Sequence, residues 1–208
     1  MSSAIRILIA EDHPLMRSGI ATEISSEPDL EVVAVAEDGQ QAVELFRSHY
    51  PDVSLIDLRL PKMNGLQVIE TIRRERPTAR IIVLTTAAGD VHAVRAFKAG
   101  AASYLLKHML RDELIHAIRE VHAGRKRIPA EIAKIIAESA LADPMSAREV
   151  EVLSKVAEGL SNKEIAARLF ISEYTVKAHL KTILLKLGAN DRTHAVMIAL
   201  QRGFLDAS

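Results

Sequence analysis

Five short apolar runs punctuate the first half of the chain: "IRILIA" at 5–10, "VVAVA" at 32–36, "VSLI" at 53–56, "IIVL" at 81–84 and "YLL" at 104–106. Each is too short for a helix. Each is rich in Val, Ile and Leu and almost unbroken by polar residues, as strands covered on both faces are. Between them lie amphipathic stretches beginning near Pro14, Gly39, Asn64 and Asp90, and a fifth begins near Arg111. A parallel strand pair needs a crossover long enough to hold a helix. Five strand–helix units in succession therefore predict an α/β unit with a parallel five-stranded sheet and helices on both sides.

The chain has 208 residues, 49% of them hydrophobic and 26% charged, which is room for two modest domains. With no Cys, disulfide scaffolds and thiolate metal sites are excluded. Residues 1–20 carry no basic stretch followed by a long apolar core, so no secretion signal is read there. No run approaches the ~18 apolar residues that a bilayer span requires. The expectation is a soluble, cytoplasmic protein with no membrane partner. Charge is uneven: residues 1–124 hold 14 Lys/Arg against 17 Asp/Glu, net −3, and residues 125–208 hold 13 against 10, net +3. An acidic front and a basic back suggest separate tasks.

Ligands of open parallel sheets collect at the carboxyl ends of the strands. Glu11 and Asp12 follow the first predicted strand, Asp57 the third, Thr85 and Thr86 the fourth, and Lys107 the fifth. A single Asp in such a place is most often a turn former or a helix cap. Three carboxylates, a hydroxyl and an amine on one rim describe a site. The carboxylates repel one another unless a cation sits between them, and an oxygen-only donor set with room for water suits Mg²⁺. Asp57 could then attack a phosphoryl group, with Mg²⁺ and Lys107 offsetting charge and the Thr85 hydroxyl donating to a transferred oxygen.

The set Glu11-Asp12, Asp57, Thr85 and Lys107, with "LPKMNG" after the aspartate and "AGAASYLLK" up to the lysine, resembles the receiver domain of bacterial two-component response regulators over about residues 4–122. The intervals of 28 residues from Asp57 to Thr85 and 22 from Thr85 to Lys107 fit that family. The resemblance implies a flavodoxin-like (βα)5 fold and phosphorylation of Asp57 by a sensor histidine kinase. It also implies that Glu11, Asp12, Asp57 and the backbone carbonyl of Arg59 hold Mg²⁺, and that Thr85 and Tyr104 form a switch pair. Without it, Tyr104 reads as a strand aromatic packed in the core. Two departures stand out. His108 follows Lys107 where many receivers carry Pro, and Arg59 and Ala87 occupy positions that in receivers influence how water reaches the phosphoryl group.

Gly124 reads as a helix stop, Arg125-Lys126-Arg127 as a solvated cluster, and Pro129 as the first turn of a helix with Ile132, Ile135, Ile136 and Ser139–Ala140 on one side. Asp143-Pro144 marks the next boundary. From Ser146 to Leu205 four helices and no strand are expected. In "SNKEIAARLFISEYTVKAHLKTILLKLG", Ser161 and Glu164 form a capping box, Phe170-Ile171 make a tight turn, Ser172 caps a second helix and Gly188 stops it. That is helix-turn-helix punctuation. Val176, Leu180, Ile183 and Leu187 form an apolar stripe on the second helix, and Tyr174, Lys177, Ala178 and Lys181 project away from it. His179 lies nearer the buried edge. The segment resembles the LuxR-type domain that ends NarL/FixJ-class regulators, over about residues 144–205. The resemblance implies that Lys177, Ala178 and Lys181 face bases or nearby phosphates, that Asn162, Lys163, Thr175 and Arg192 hold backbone phosphates, and that "THAVMIALQRG" mediates dimerisation on DNA.

The expected organisation is a receiver at 1–123, a helical linker at 124–143 and a small all-α four-helix DNA-binding domain at 144–208. The expected function is a two-component response regulator: a transcription factor switched by phosphate at Asp57, binding operator DNA as a homodimer, and not a metabolic enzyme. One rival is a Mg²⁺-dependent aspartyl-phosphate phosphohydrolase. Such enzymes need a second acid beside the nucleophile, where this chain has Leu58 and Arg59. Another is a phospho-switched module whose tail binds protein instead of DNA.

Overall fold

The apolar runs form strands β1 (Ile5–Ala10), β2 (Leu30–Ala36), β3 (Val53–Asp57), β4 (Ile81–Thr85) and β5 (Ser103–Leu106). All pair in parallel in the order β2-β1-β3-β4-β5. The structure is a computed structural model that describes residues 4–86, 89–126, 128, 130–140 and 144–205. Ala87, Arg127, Pro129 and Asp143 lie outside the described residues, as do the side chains of Ile135, Ser139 and Ala140.

Helices α1 (Pro14–Ser25), α2 (Gly39–His49), α3 (Gly65–Glu75), α4 (Asp90–Ala99) and α5 (Leu110–His122) alternate with the strands. From α1 and α5, Ile20, Ile24, Leu114 and Ile118 pack on Ile7, Ile9, Leu55 and Leu84 of the sheet. Val43 and Phe46 of α2 and Ile69 and Ile72 of α3 are buried on helices that pack against β2, β1 and β3. Local caps start two of these helices: the Asp38 side chain accepts from Gln41 N at α2, and Asn64 and Gln67 close a reciprocal capping box at α3.

The strand ends differ from the bare apolar runs. On the sheet's edge, β2 starts at Leu30 rather than Val32, because the exposed Glu31 can face solvent there. The central strands β3 and β4 each take one polar residue more, Asp57 and Thr85, in register with Leu84 and Leu106 of their neighbours. Chain order reverses between β1 and β3. Their carboxyl ends carry Glu11-Asp12 and Asp57, so the sheet opens its crevice between these residues.

Beyond the sheet lie α6 (Ala130–Ala140), α7 (Ala147–Ala157), α8 (Asn162–Leu169), α9 (Glu173–Leu187) and α10 (Arg192–Arg202). Ile132 of α6 is buried and Ile136 half-buried. Reciprocal capping boxes, Ser146 with Glu149 and Ser161 with Glu164, start α7 and α8, and left-handed Gly188 and Gly203 end α9 and α10. Leu153, Ile165, Val176, Ile183 and Ala199 make the centre of this helical core. The α8–α9 turn passes through Phe170 at φ 54°, a conformation that costs a non-glycine residue roughly 1–2 kcal/mol. The chain divides into two compact units, Met1–Thr86 with Ala93–Ala133, and Ala87–His92 with Lys134–Ser208.

Candidate functional site

Asp57 is the last residue of β3 and only 2% exposed. A lone carboxylate cannot stay charged at such burial without partners. Lys107, which opens a single 3-10 turn after β5, sends its Nζ to 2.8 Å from Asp57 Oδ2 and 2.8 Å from Glu11 Oε1. Asp57 Oδ1 accepts from the backbone N–H of Arg59 at 3.1 Å. Burial pulls the Lys107 ammonium down, but its hydrogen bonds to Asp57 and Glu11 outweigh that and hold it above the ordinary lysine range.

Glu11 is fully buried at the end of β1. Its Oε2 lies 2.6 Å from Lys107 Nζ, an ion pair without hydrogen-bond geometry. Glu11, Asp12, His13 and Asp57 each offer one ligand atom within 4.8 Å of the others. The donor set is three carboxylates and an imidazole. Two buried carboxylates, Glu11 and Asp57, converging with the half-buried Asp12 give the oxygen donors that a hard divalent cation such as Mg²⁺ takes.

His13 was invisible to sequence reasoning. As the residue before Pro14 it is the N-cap of α1, and its backbone N–H donates to Glu11 Oε1 at 3.1 Å. Its Nδ1 stands 2.8 Å from Asp12 Oδ1 and 3.2 Å from Glu11 Oε1, tying the acid pair together. The one available signal was adjacency to Glu11-Asp12.

Thr85 and Tyr104, from the neighbouring strands β4 and β5, are both buried. Tyr104 hydrogen-bonds the Thr85 side chain. Burial drives the phenol's pKa up, the Thr85 hydrogen bond opposes this, and the Asp57 charge adds to the rise. The Tyr104 ring stacks tilted against Phe97 of α4, with centroids 6.4 Å apart.

Gly65 explains the end of "LPKMNG". Its N–H donates to Leu58 O, and a Cβ there would lie 2.1 Å from Asp57 O and 2.7 Å from Leu58 Cα. Only glycine lets α3 start this close to the strand that carries Asp57. Gly65→Ala is therefore expected to displace the Asp57 backbone and cost roughly 1–3 kcal/mol, as overpacking usually does. Chemical denaturation checks the loss, and a midpoint equal to the parent's would contradict it.

On the helical unit, Lys177, Ala178 and Lys181 are exposed along one side of α9, opposite buried Val176, Ile183 and Leu187, with Leu180 and His179 half-buried between. Lys163 is exposed at the start of α8. The other residues expected to hold phosphates are partly engaged: Thr175 Oγ1 meets Ser172 Oγ at 2.8 Å, and Arg192 Nη2 donates to Leu160 O at 2.7 Å. Asn162 is half-buried, with its Oδ1 unpartnered.

Residues 7–119 match the model of the response regulator receiver domain, and residues 143–199 that of the bacterial regulatory proteins of the luxR family. The chain belongs to the response regulators that join a receiver to a LuxR-type DNA-binding domain. This response regulator is 39% identical to the transcriptional regulatory protein LiaR of Bacillus subtilis, over 94% of its own length and 96% of that protein's. It is 36% identical to the nitrate/nitrite response regulator NarL of Escherichia coli, over 92% and 93% of the two chains. The solved RcsB–DNA complex matches 96% of the response regulator and 99% of that chain, at TM-score 0.73 and 25% identity. Among the described residues of the regulator, no helix is long and apolar enough to cross a membrane.

Proposed function

We propose that this regulator, acting in the cytoplasm, takes a phosphoryl group from a sensor histidine kinase onto Asp57 and binds operator DNA as a homodimer in response. The observation that carries the reading is Asp57 itself: a carboxylate 2% exposed at the sheet's crevice, 2.8 Å from the Lys107 ammonium. An Asp57 oxygen attacks phosphorus, the bond from phosphorus to the donor's nitrogen breaks, and that electron pair leaves on the donor. Lys107 offsets charge on the transferred oxygens and the Thr85 hydroxyl donates to one of them. Turning Thr85 to that task breaks its bond to Tyr104, so the state of Asp57 reaches β5 and α4. Glu11, Asp12, Asp57 and the Arg59 carbonyl would hold Mg²⁺, which when bound supplies the positive charge that phosphate needs beside three acids. A phosphohydrolase would need a second acid beside Asp57, where Leu58 and Arg59 stand.

In this reading residues 1–123 are the receiver, 124–143 the linker and 144–208 the DNA-binding domain. Lys177, Ala178 and Lys181 face the major groove, while Asn162, Lys163, Thr175 and Arg192 hold phosphates, and α10 pairs two protomers. Lys177→Ala with Lys181→Ala should weaken binding to every duplex and lower the log–log salt slope by about 0.9 for each phosphate that is no longer neutralised. Binding titrations across salt concentrations read both quantities. An unchanged slope and affinity would overturn the choice of face.

A further inference from the structure

The chain has only seven aromatic residues, three Tyr and four Phe. One of them, Tyr174, stands 82% exposed on the first turn of α9. Among the described residues, its hydroxyl bonds to no other group of the chain. At 100° per residue, Tyr174, Ala178 and Lys181 fall within about 60° of one another around the helix, with Lys177 on their flank.

The two lysines of this face differ from several other cations of the helical unit. Arg148, Lys155 and Arg168, on α7 and α8, are each paired with a glutamate, Glu151 or Glu158. Lys177 and Lys181 have no ion-pair partner among the described residues. Two free cations, one methyl-sized residue and one unpartnered aromatic form a surface that is both electropositive and apolar. Such a surface fits the major groove, where phosphates flank base edges and thymine presents a methyl group. In helix-turn-helix proteins the N-terminal residues of the second helix reach the base edges, and Tyr174 is the second residue of that helix.

We propose that Tyr174 is a specificity-determining residue: its ring packs on a thymine methyl and fixes a T·A pair at one position of each half-site. The inference rests on the reading of α9 as the recognition helix. A lysine beside it supplies affinity for any duplex, whereas the tyrosine supplies preference.

The full-length chain, treated with acetyl phosphate and Mg²⁺, is used to enrich duplexes from a randomised library, and the enriched duplex is then remade with uracil replacing thymine at single positions. One position in each half-site is expected at which loss of the methyl weakens the parent about tenfold, within the range of a single mismatch, and leaves Tyr174→Ala unaffected. Tyr174→Phe should keep the preference, because the ring and not the hydroxyl touches the methyl. Tyr174→Ala should unfold with the parent, its side chain being solvent-exposed. If Tyr174→Phe loses as much as Tyr174→Ala, the hydroxyl holds a phosphate and base reading is overturned. If Tyr174→Ala enriches the same sequences as the parent, the proposal also fails. The lysine double variant separates this failure from that of α9 as a whole: weakened by the lysine changes but indifferent to Tyr174, the chain uses α9 without reading through the tyrosine.

Discussion

Replacing Asp57 by asparagine is expected to reduce labelling of the chain by radiolabelled acetyl phosphate in Mg²⁺ to background. The amide is a poor nucleophile and brings no charge to a cation, while its shape leaves the packing of β3 intact. Label on the parent should be released by hydroxylamine, as an acyl phosphate is. Persistent label on Asp57→Asn would mean that another side chain is the acceptor, and Thr85 and His13 would be the first to test.

Lys107→Met should be the most destabilising change at the site. The ammonium is 7% exposed and faces two carboxylates, on Glu11 and Asp57, that are buried almost completely. Removing one partner of a buried ionic cluster costs about 3–5 kcal/mol, because the remaining charges are left uncompensated. For a unit of this size that is a fall of about 10 °C or more in melting temperature. Added Mg²⁺ should raise the variant's melting temperature more than the parent's, since cation binding returns the missing positive charge to the folded state. A variant that melts with the parent would contradict the pairing. The pH dependence follows from the direction of the Lys107 shift. Its folded-state pKa is raised above the ordinary 10.5, so its stabilisation is complete below pH 10.5 and is lost as pH climbs through the raised value. Without divalent cations, the parent should lose stability in that alkaline window and Lys107→Met should not show the same step.

Much of this architecture was legible because it rests on local rules. Continuous Val/Ile/Leu runs mark strands buried on two faces, and Ser161, Ser172 and Gly188 each cap or stop a helix where their chemistry predicts. The rim position of Asp57, Thr85 and Lys107 followed from their place at the carboxyl ends of strands expected to run parallel. What stayed hidden depends on groups far apart in the chain. Nothing local says that Gly65 must be bare, since the atom it would strike belongs to Asp57. Nothing in "EDHP" says that the imidazole turns back onto the acids. The edge position of β2, which lets Glu31 join a strand, is likewise a property of the sheet and not of the segment. Phe170 breaks the local rule outright: turn chemistry favours Gly or Asn at a left-handed position, and here a 94% exposed phenylalanine takes it.

The central claim is that the charge state of Asp57 governs DNA binding, and one titration tests it directly. Binding of the full-length chain to an enriched duplex is measured with and without acetyl phosphate and Mg²⁺, for the parent and for Asp57→Asn, with oligomeric state followed by light scattering. Phosphorylation of the parent should raise affinity about tenfold, within the roughly 5–150-fold range of allosteric coupling, or drive dimer formation, and Asp57→Asn should do neither. A fully labelled parent whose affinity and oligomeric state match the unlabelled protein would contradict the account.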